Sequence, residues 1–81
     1  MEIKDVIEKI DESLNDYSMP RRIKNILSQI KTELLKEGSD KAIRISSAIY
    51  MIEEVSNDVN IPMHTKTTLW DIISDLEALK K

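Results

Sequence analysis

Cysteine and phenylalanine are absent from this 81-residue chain, and tryptophan and histidine occur once each. Without cysteine, neither a disulfide nor a thiolate metal site can form. One glycine and two prolines leave little material for tight turns, which argues against a fold of many short strands. The lone glycine, Gly38, also excludes the phosphate-cradling loops that need several glycines for close backbone approach. No stretch approaches the ~20 consecutive apolar residues of a membrane span. The opening residues, Met1-Glu2-Ile3-Lys4-Asp5, lack the apolar core of a secretory signal. The expectation is a cytoplasmic protein with no membrane partner. A net charge of −3 argues against nucleic acid as a general partner, because that binding rests on neutralising phosphates.

What the chain does have is aliphatic: 13 Ile and 7 Leu, set among charged residues that make up 33% of the whole. A chain of this size buries only roughly 60% of its unfolded surface, so residues 1–81 are read as one domain with an efficient core.

The sequence matches itself at an offset of 42 residues. Ile3 falls on Ile45, Ile7 on Ile49, Ile10 on Ile52 and Glu12 on Glu54. Asn15-Asp16 falls on Asn57-Asp58, Pro20 on Pro62 and Lys24 on Lys66. Leu27 meets Leu69, Ile30 meets Ile72, and Leu34 meets Leu76. A shared helical period could align the aliphatic residues by itself. It does not account for the Asn-Asp-x-x-x-Pro loop, so residues 3–36 and 45–78 are read as a duplicated unit.

Each unit reads as helix, loop, helix. The stripes are Ile3, Val6, Ile7, Ile10, Leu14; then Ile23, Ile26, Leu27, Ile30, Leu34; then Ile45, Ala48, Ile49, Ile52, Val55; then Leu69, Ile72, Ile73, Leu76, Leu79. All follow the 3.6-residue period of a one-faced helix. Pro20 and Pro62 suit first helical positions, Gly38 a left-handed helix end, and Ser39 the N-cap of the third helix with Asp40 in its first turn. These signals place helices at about 2–16, 20–37, 40–57 and 62–80. Short connections make sequential helices antiparallel neighbours. The expected architecture is therefore an all-α, antiparallel four-helix bundle of two hairpins. Two stacked HEAT-like repeats are the competing arrangement, since 42 residues is a HEAT-like period.

The segments Ile52-Glu53-Glu54-Val55-Ser56-Asn57-Asp58 and Ile61-Pro62-Met63-His64-Thr65, followed by Leu69-Trp70 and Leu76-Glu77, carry a resemblance. With them the chain resembles the archaeal uncharacterised protein family 0147 over nearly its whole length. Lys66 departs from the arginine expected there. The resemblance implies a small four-helix protein of archaeal cytoplasm. It implies no activity, cofactor or site residue.

Tests for chemistry return little. Di-iron bundles use Glu-x-x-His pairs, but Ile61 stands three residues before His64. A catalytic zinc needs three convergent ligands, and no carboxylate stands at ligand spacing from His64; it reads as a polar residue in the first turn of helix four. Ser46 and Ser47 lie mid-helix without a nucleophile elbow and read as small surface residues. Glu53 and Glu54 read as a solvated face. No catalytic residue, metal, cofactor or small-molecule substrate is expected. Arg21, Arg22 and Lys24 cluster at the start of helix two and could hold an anion or an RNA phosphate. No aromatic residues interleave them, and an ordinary solvated turn is the plainer reading.

The two copies differ on their outer faces. Ile43 and Tyr50 lie seven residues apart, roughly 150° from Ile45 on the helical wheel. Met63 and Trp70 are likewise seven apart, roughly 110° from Leu69. The matched first-copy residues are Met1, Glu8, Arg21 and Ser28. Trp, Tyr and Met are enriched at interface cores. The second hairpin is therefore expected to carry a partner-binding or homodimer surface at Ile43, Tyr50, Met63 and Trp70, making the protein a non-enzymatic interaction module. The plainer alternative is that these residues only edge the core. An RNA- or anion-binding accessory protein using the basic turn is the second expectation.

Overall fold

The computed structural model describes residues 2–36, 38 and 40–80. Four α-helices account for the regular structure among them: α1 Ile3–Leu14, α2 Arg21–Leu35, α3 Lys41–Ser56 and α4 Met63–Lys80. All four aliphatic stripes become helices, and each turns its stripe inward. Val6, Ile10, Ile23, Leu27, Ile30, Leu34, Ile45, Ile52, Leu69, Ile72 and Leu76 are all at most 1% exposed. Among them Ala48, Ile49 and Val55 complete the floor beneath α3.

Each helix packs on two others in a closed ring: α1 on α2, α2 on α3, α3 on α4 and α4 on α1. The diagonal pairs do not approach. Stacked HEAT-like repeats would set α1 against α3 and α2 against α4, so the ring selects the four-helix bundle. Its extents, 34 × 22 × 19 Å, are those of helices laid side by side.

The 42-residue spacing recurs in the local structure. Ser18 N–H donates to the Asp16 carboxylate at 2.9 Å, and Asn60 N–H to the Asp58 carboxylate at 2.8 Å. Met19 N–H donates to Asp16 O at 3.2 Å, and Ile61 N–H to Asp58 O at 3.4 Å. Both loops are thus Asx turns that dip one apolar residue, Met19 or Ile61, into the core before proline. The common loop motif has a common physical job.

Several boundaries differ from expectation. Pro20 is the N-cap of α2 and not its first helical residue; its carbonyl accepts from Lys24 N–H at 3.0 Å. Pro62 plays the matching part ahead of α4, accepting from Lys66 N–H at 3.1 Å. α2 stops at Leu35, with Lys36 extended, so Gly38 at φ +85° turns the connection between hairpins and does not end the helix. The residue capping α3 is Asp40, whose carboxylate accepts from Ala42 N–H at 2.8 Å. Ser39, expected in that role, lies outside the described residues, as does Met1.

Two buried positions break the pattern of matched apolar pairs: Ser13, whose hydroxyl donates to Lys9 O at 3.1 Å, answers to Val55, and Thr65 answers to Ile23. Ile23 is 1% exposed, and its counterpart Thr65 is fully buried with no partner for its hydroxyl among the described residues. An unsatisfied buried hydroxyl costs about 1–3 kcal/mol. Thr65→Val keeps the shape and removes the hydroxyl, and is expected to stabilise the fold by about 1 kcal/mol. A urea midpoint that stays or falls at unchanged m-value would show that the hydroxyl is satisfied after all.

Candidate functional site

The two hairpins present opposite kinds of outer surface. On α1 and α2 apolar residues keep to one face except for Leu35, 56% exposed at the end of α2, whereas on α3 and α4 several occupy the solvent side. All four residues singled out by sequence are exposed: Ile43 63%, Tyr50 63%, Met63 68% and Trp70 53%. Several neighbours along the same outer strips are small and uncharged. On α3 they are Ala42, Ser46 and Ser47; on α4 they are Ser74 and Ala78. The corresponding first-hairpin residues include Lys4, Asp5, Glu8, Arg21 and Lys36. Charges are interspersed with the four exposed residues: Glu54 lies one turn beyond Tyr50, Lys66 between Met63 and Trp70, and Glu77 two turns beyond Trp70.

The structure joins part of the predicted surface into one feature. Ile43 and Tyr50, with Ala42, Ser46, Ser47 and Met51, line a shallow groove of about 490 Å³ along α3. Met63 and Trp70 do not line it; they stand on the adjacent helix. The surface is therefore a groove on α3 beside an apolar stripe on α4.

The basic turn is less available than its composition suggests. Arg22 is engaged in an ion pair and hydrogen bond with Asp58, across from the α2 start to the loop after α3. Asp58 is held below its ordinary value of 3.8, first by the Asn60 N–H and then by Arg22. Asp16, its counterpart, is also lowered from 3.8, by the Ser18 hydroxyl and N–H, with His64 and Lys24 adding attraction. Arg21 is exposed and Lys24 half-buried. The charges at this end thus compensate one another between the two loops. His64 sits exposed in the first turn of α4, as the sequence suggested.

A second cleft, of about 450 Å³, lies between α1 and α4 and is lined by Lys9, Glu12, Ser13, Asp16, Thr67, Thr68, Asp71 and Ile72. Within it the Lys9 ammonium meets Asp71 at 2.8 Å and Asp75 at 2.5 Å. The hydrogen bond to Asp71, then that to Asp75, raises the Lys9 pKa above 10.5. Held by two carboxylates of α4, the Lys9 ammonium ties α1 to α4 as a strut. No group of three or more His, Asp or Glu side chains among the described residues converges as metal ligands would.

Three exposed apolar residues carried no weight in the sequence: Leu35, 56% exposed at the end of α2, and the loop residues Tyr17 and Val59. Tyr17 and Val59 occupy matched positions at the tips of the two Asx loops and are 101% and 86% exposed. The available signal was an apolar residue directly after Asp in both copies of the loop motif.

Comparison with known proteins gives a consistent answer. Residues 1–79 match the model of an uncharacterised protein family, UPF0147. The UPF0147 protein of Methanocaldococcus jannaschii is 41% identical over 78 residues, covering 96% of this chain and 84% of that one. The relative from Thermococcus kodakarensis is 37% identical, covering 96% and 95%. Among solved structures, a UPF0147 protein from Thermoplasma acidophilum superposes with a TM-score of 0.89 at 32% identity, over 95% of this chain and 91% of that one. A protein of unknown function, MMP1188, gives 0.88 at 32% identity, over 98% and 90%.

Proposed function

The chain belongs to the uncharacterised family UPF0147, and we propose that it acts by binding, as a cytoplasmic, non-enzymatic interaction module that receives another polypeptide on the outer face of α3 and α4. One observation carries this reading. Ile43, Tyr50, Met63 and Trp70 are exposed, with small Ser46, Ser47 and Ser74 beside them, while the described first-hairpin residues matched to Tyr50, Met63 and Trp70 are the polar Glu8, Arg21 and Ser28.

A solvated helix face has no need of such residues. A Tyr and a Trp each bury ~150–250 Å² when covered. At ~25 cal/mol per Å², covering both returns on the order of 7–12 kcal/mol before the costs of association and side-chain ordering. Charges at the edge, such as Glu53, Glu54 and Glu77, suit the polar rim of an interface. The RNA- or anion-binding alternative has less support, because Arg22 is already engaged by Asp58.

Site-specific photocrosslinking tests the reading. A photoreactive residue at Ser46 or Ser74 should form adducts with a polypeptide in cells. The same group at the first-hairpin counterparts, Lys4 or Thr32, should not. Equal yields from both hairpins, or none from the second, would refute the assignment of this face.

A further inference from the structure

We infer that the bundle opens like a book along its α1–α4 seam, with the packed α2–α3 pair as the spine. Three observations lead there, and none depends on what the outer face of α3 and α4 receives.

The first comes from the duplication. Two halves at a 42-residue offset give two equivalent seams, α1 against α4 and α3 against α2, and each carries a cleft. Three matched lining positions differ in kind. Met51, Val55 and Ile26 of the α2–α3 cleft answer to Lys9, Ser13 and Thr68 of the α1–α4 cleft. On the α2–α3 side Val55 is buried, and Met51 and Ile26 pack against the core. On the α1–α4 side the same places hold an ammonium and two hydroxyls. That cleft is also the larger, about 450 Å³ against about 280 Å³. Apolar burial is what holds the helices of a bundle together, and this seam lacks it where its twin has it.

The second is buried polarity. The polar residues buried among those described are Ser13 and Thr65. Ser13 lines the α1–α4 cleft. Thr65 stands on the same strip of α4 as Ile72, which also lines it, two turns away. The Thr65 hydroxyl has no partner in the closed bundle. Water can serve it once the seam parts, which offsets part of the cost of opening.

The third is how each seam is tied. Arg44 of α3 donates to Leu34 O and Lys36 O at the end of α2, and Arg22 of α2 pairs with Asp58 beyond α3. Among the described residues, the ion pairs across the α1–α4 seam all come from Lys9, whose side chain is 38% exposed. Ion pairs that water reaches hold little. α1 and α4 are also the packed pair that no connecting loop joins, so each hairpin stays whole as they separate. The open state bares the inner stripes of α1 and α4 to water while α2 and α3 remain packed.

The experiment uses the absence of cysteine from the chain. A single introduced thiol then reports solvent access at one place. Ser13→Cys sets it on the α1–α4 seam, at a residue 8% exposed, and Val55→Cys at the matched residue of the α2–α3 seam, 6% exposed. Each chain is treated with a thiol-reactive aromatic disulfide in native buffer and at rising urea below the unfolding transition. The thiol at 13 should react on the order of 100-fold faster than the thiol at 55. Its rate should climb with urea, less steeply than global unfolding does, as partial exposure of the core requires. Adding Thr68→Ile, which restores the residue of the twin cleft, should slow labelling at 13 on the order of tenfold. Circular dichroism verifies that every variant is folded, and Ile72→Cys against Ile30→Cys gives the same comparison on α4 and α2. Equal rates at 13 and 55, both with the full urea dependence of global unfolding, overturn the proposal. So does a rate at 13 that ignores urea, since the thiol is then reached in the closed bundle. Labelling at 13 that Thr68→Ile does not slow would place the opening elsewhere.

Discussion

Leu27→Ala and Leu69→Ala are expected to destabilise the fold by about 3 kcal/mol each, and by similar amounts. Both leucines are fully buried, at matched positions of α2 and α4. Truncation removes the transfer free energy of the side chain and leaves a cavity that the surrounding Ile residues only partly fill; buried Leu→Ala changes cost ~2–5 kcal/mol. A domain of this size holds on the order of 4–12 kcal/mol in total, so either change removes a large part of it. Urea unfolding at unchanged m-value reads the loss directly. A cost at one site more than double that at the other would show that the two halves of the core are not energetically equivalent, however closely their sequences align.

Arg44→Ala should cost about 2 kcal/mol, a large effect for a side chain on the rim of a helix. The last turn of α2 leaves carbonyls without intrahelical partners. Arg44 Nη1, reaching from the first turn of α3, donates to Leu34 O at 3.0 Å and to Lys36 O at 2.7 Å. It ends one hairpin from the other and ties α2 to α3. Arg44→Lys keeps the charge but not the planar fork, and is expected to lose about half as much. Thermal unfolding of the two variants checks the order; an alanine variant as stable as the native chain would mean that water serves those carbonyls equally well. The matched residue, Glu2, also serves a helix end, with its N–H donating to Asp5 at 2.8 Å in the first turn of α1.

These two cases mark how far the sequence could be read. Leu27 and Leu69 were legible because burial of an aliphatic residue repeats every three or four positions, and the helix makes that period visible. The loops were legible because Asp and Pro impose local geometry. Ile43, Tyr50, Met63 and Trp70 could be placed on the outside because the wheel puts them off the core stripe. Arg44 was not legible. Its partners are carbonyls of another helix, and an arginine bound to carbonyls reads no differently from one in water. The Arg22–Asp58 pair was hidden for a related reason: it joins residues that only the bundle brings together. The position of the α3 cap turned on choosing between adjacent Ser39 and Asp40, either of which has suitable chemistry. Thr65 was masked by its residue type, since a threonine in a first helical turn ordinarily faces solvent.

The closed ring of helices also bears on how the chain reaches its structure. Three of its four packed pairs join helices adjacent in sequence, and only α1 on α4 must bring together segments from opposite halves. Chains dominated by such local pairings fold in microseconds to milliseconds. Each hairpin can form without waiting for the other, and the entropy of closing the long loop rises only slowly with its length. The Lys9 strut to Asp71 and Asp75 spans that last closure. Lys9→Ala is expected to leave the folding rate nearly unchanged and to raise the unfolding rate, which stopped-flow kinetics would read; a slowed folding rate would place the contact early instead.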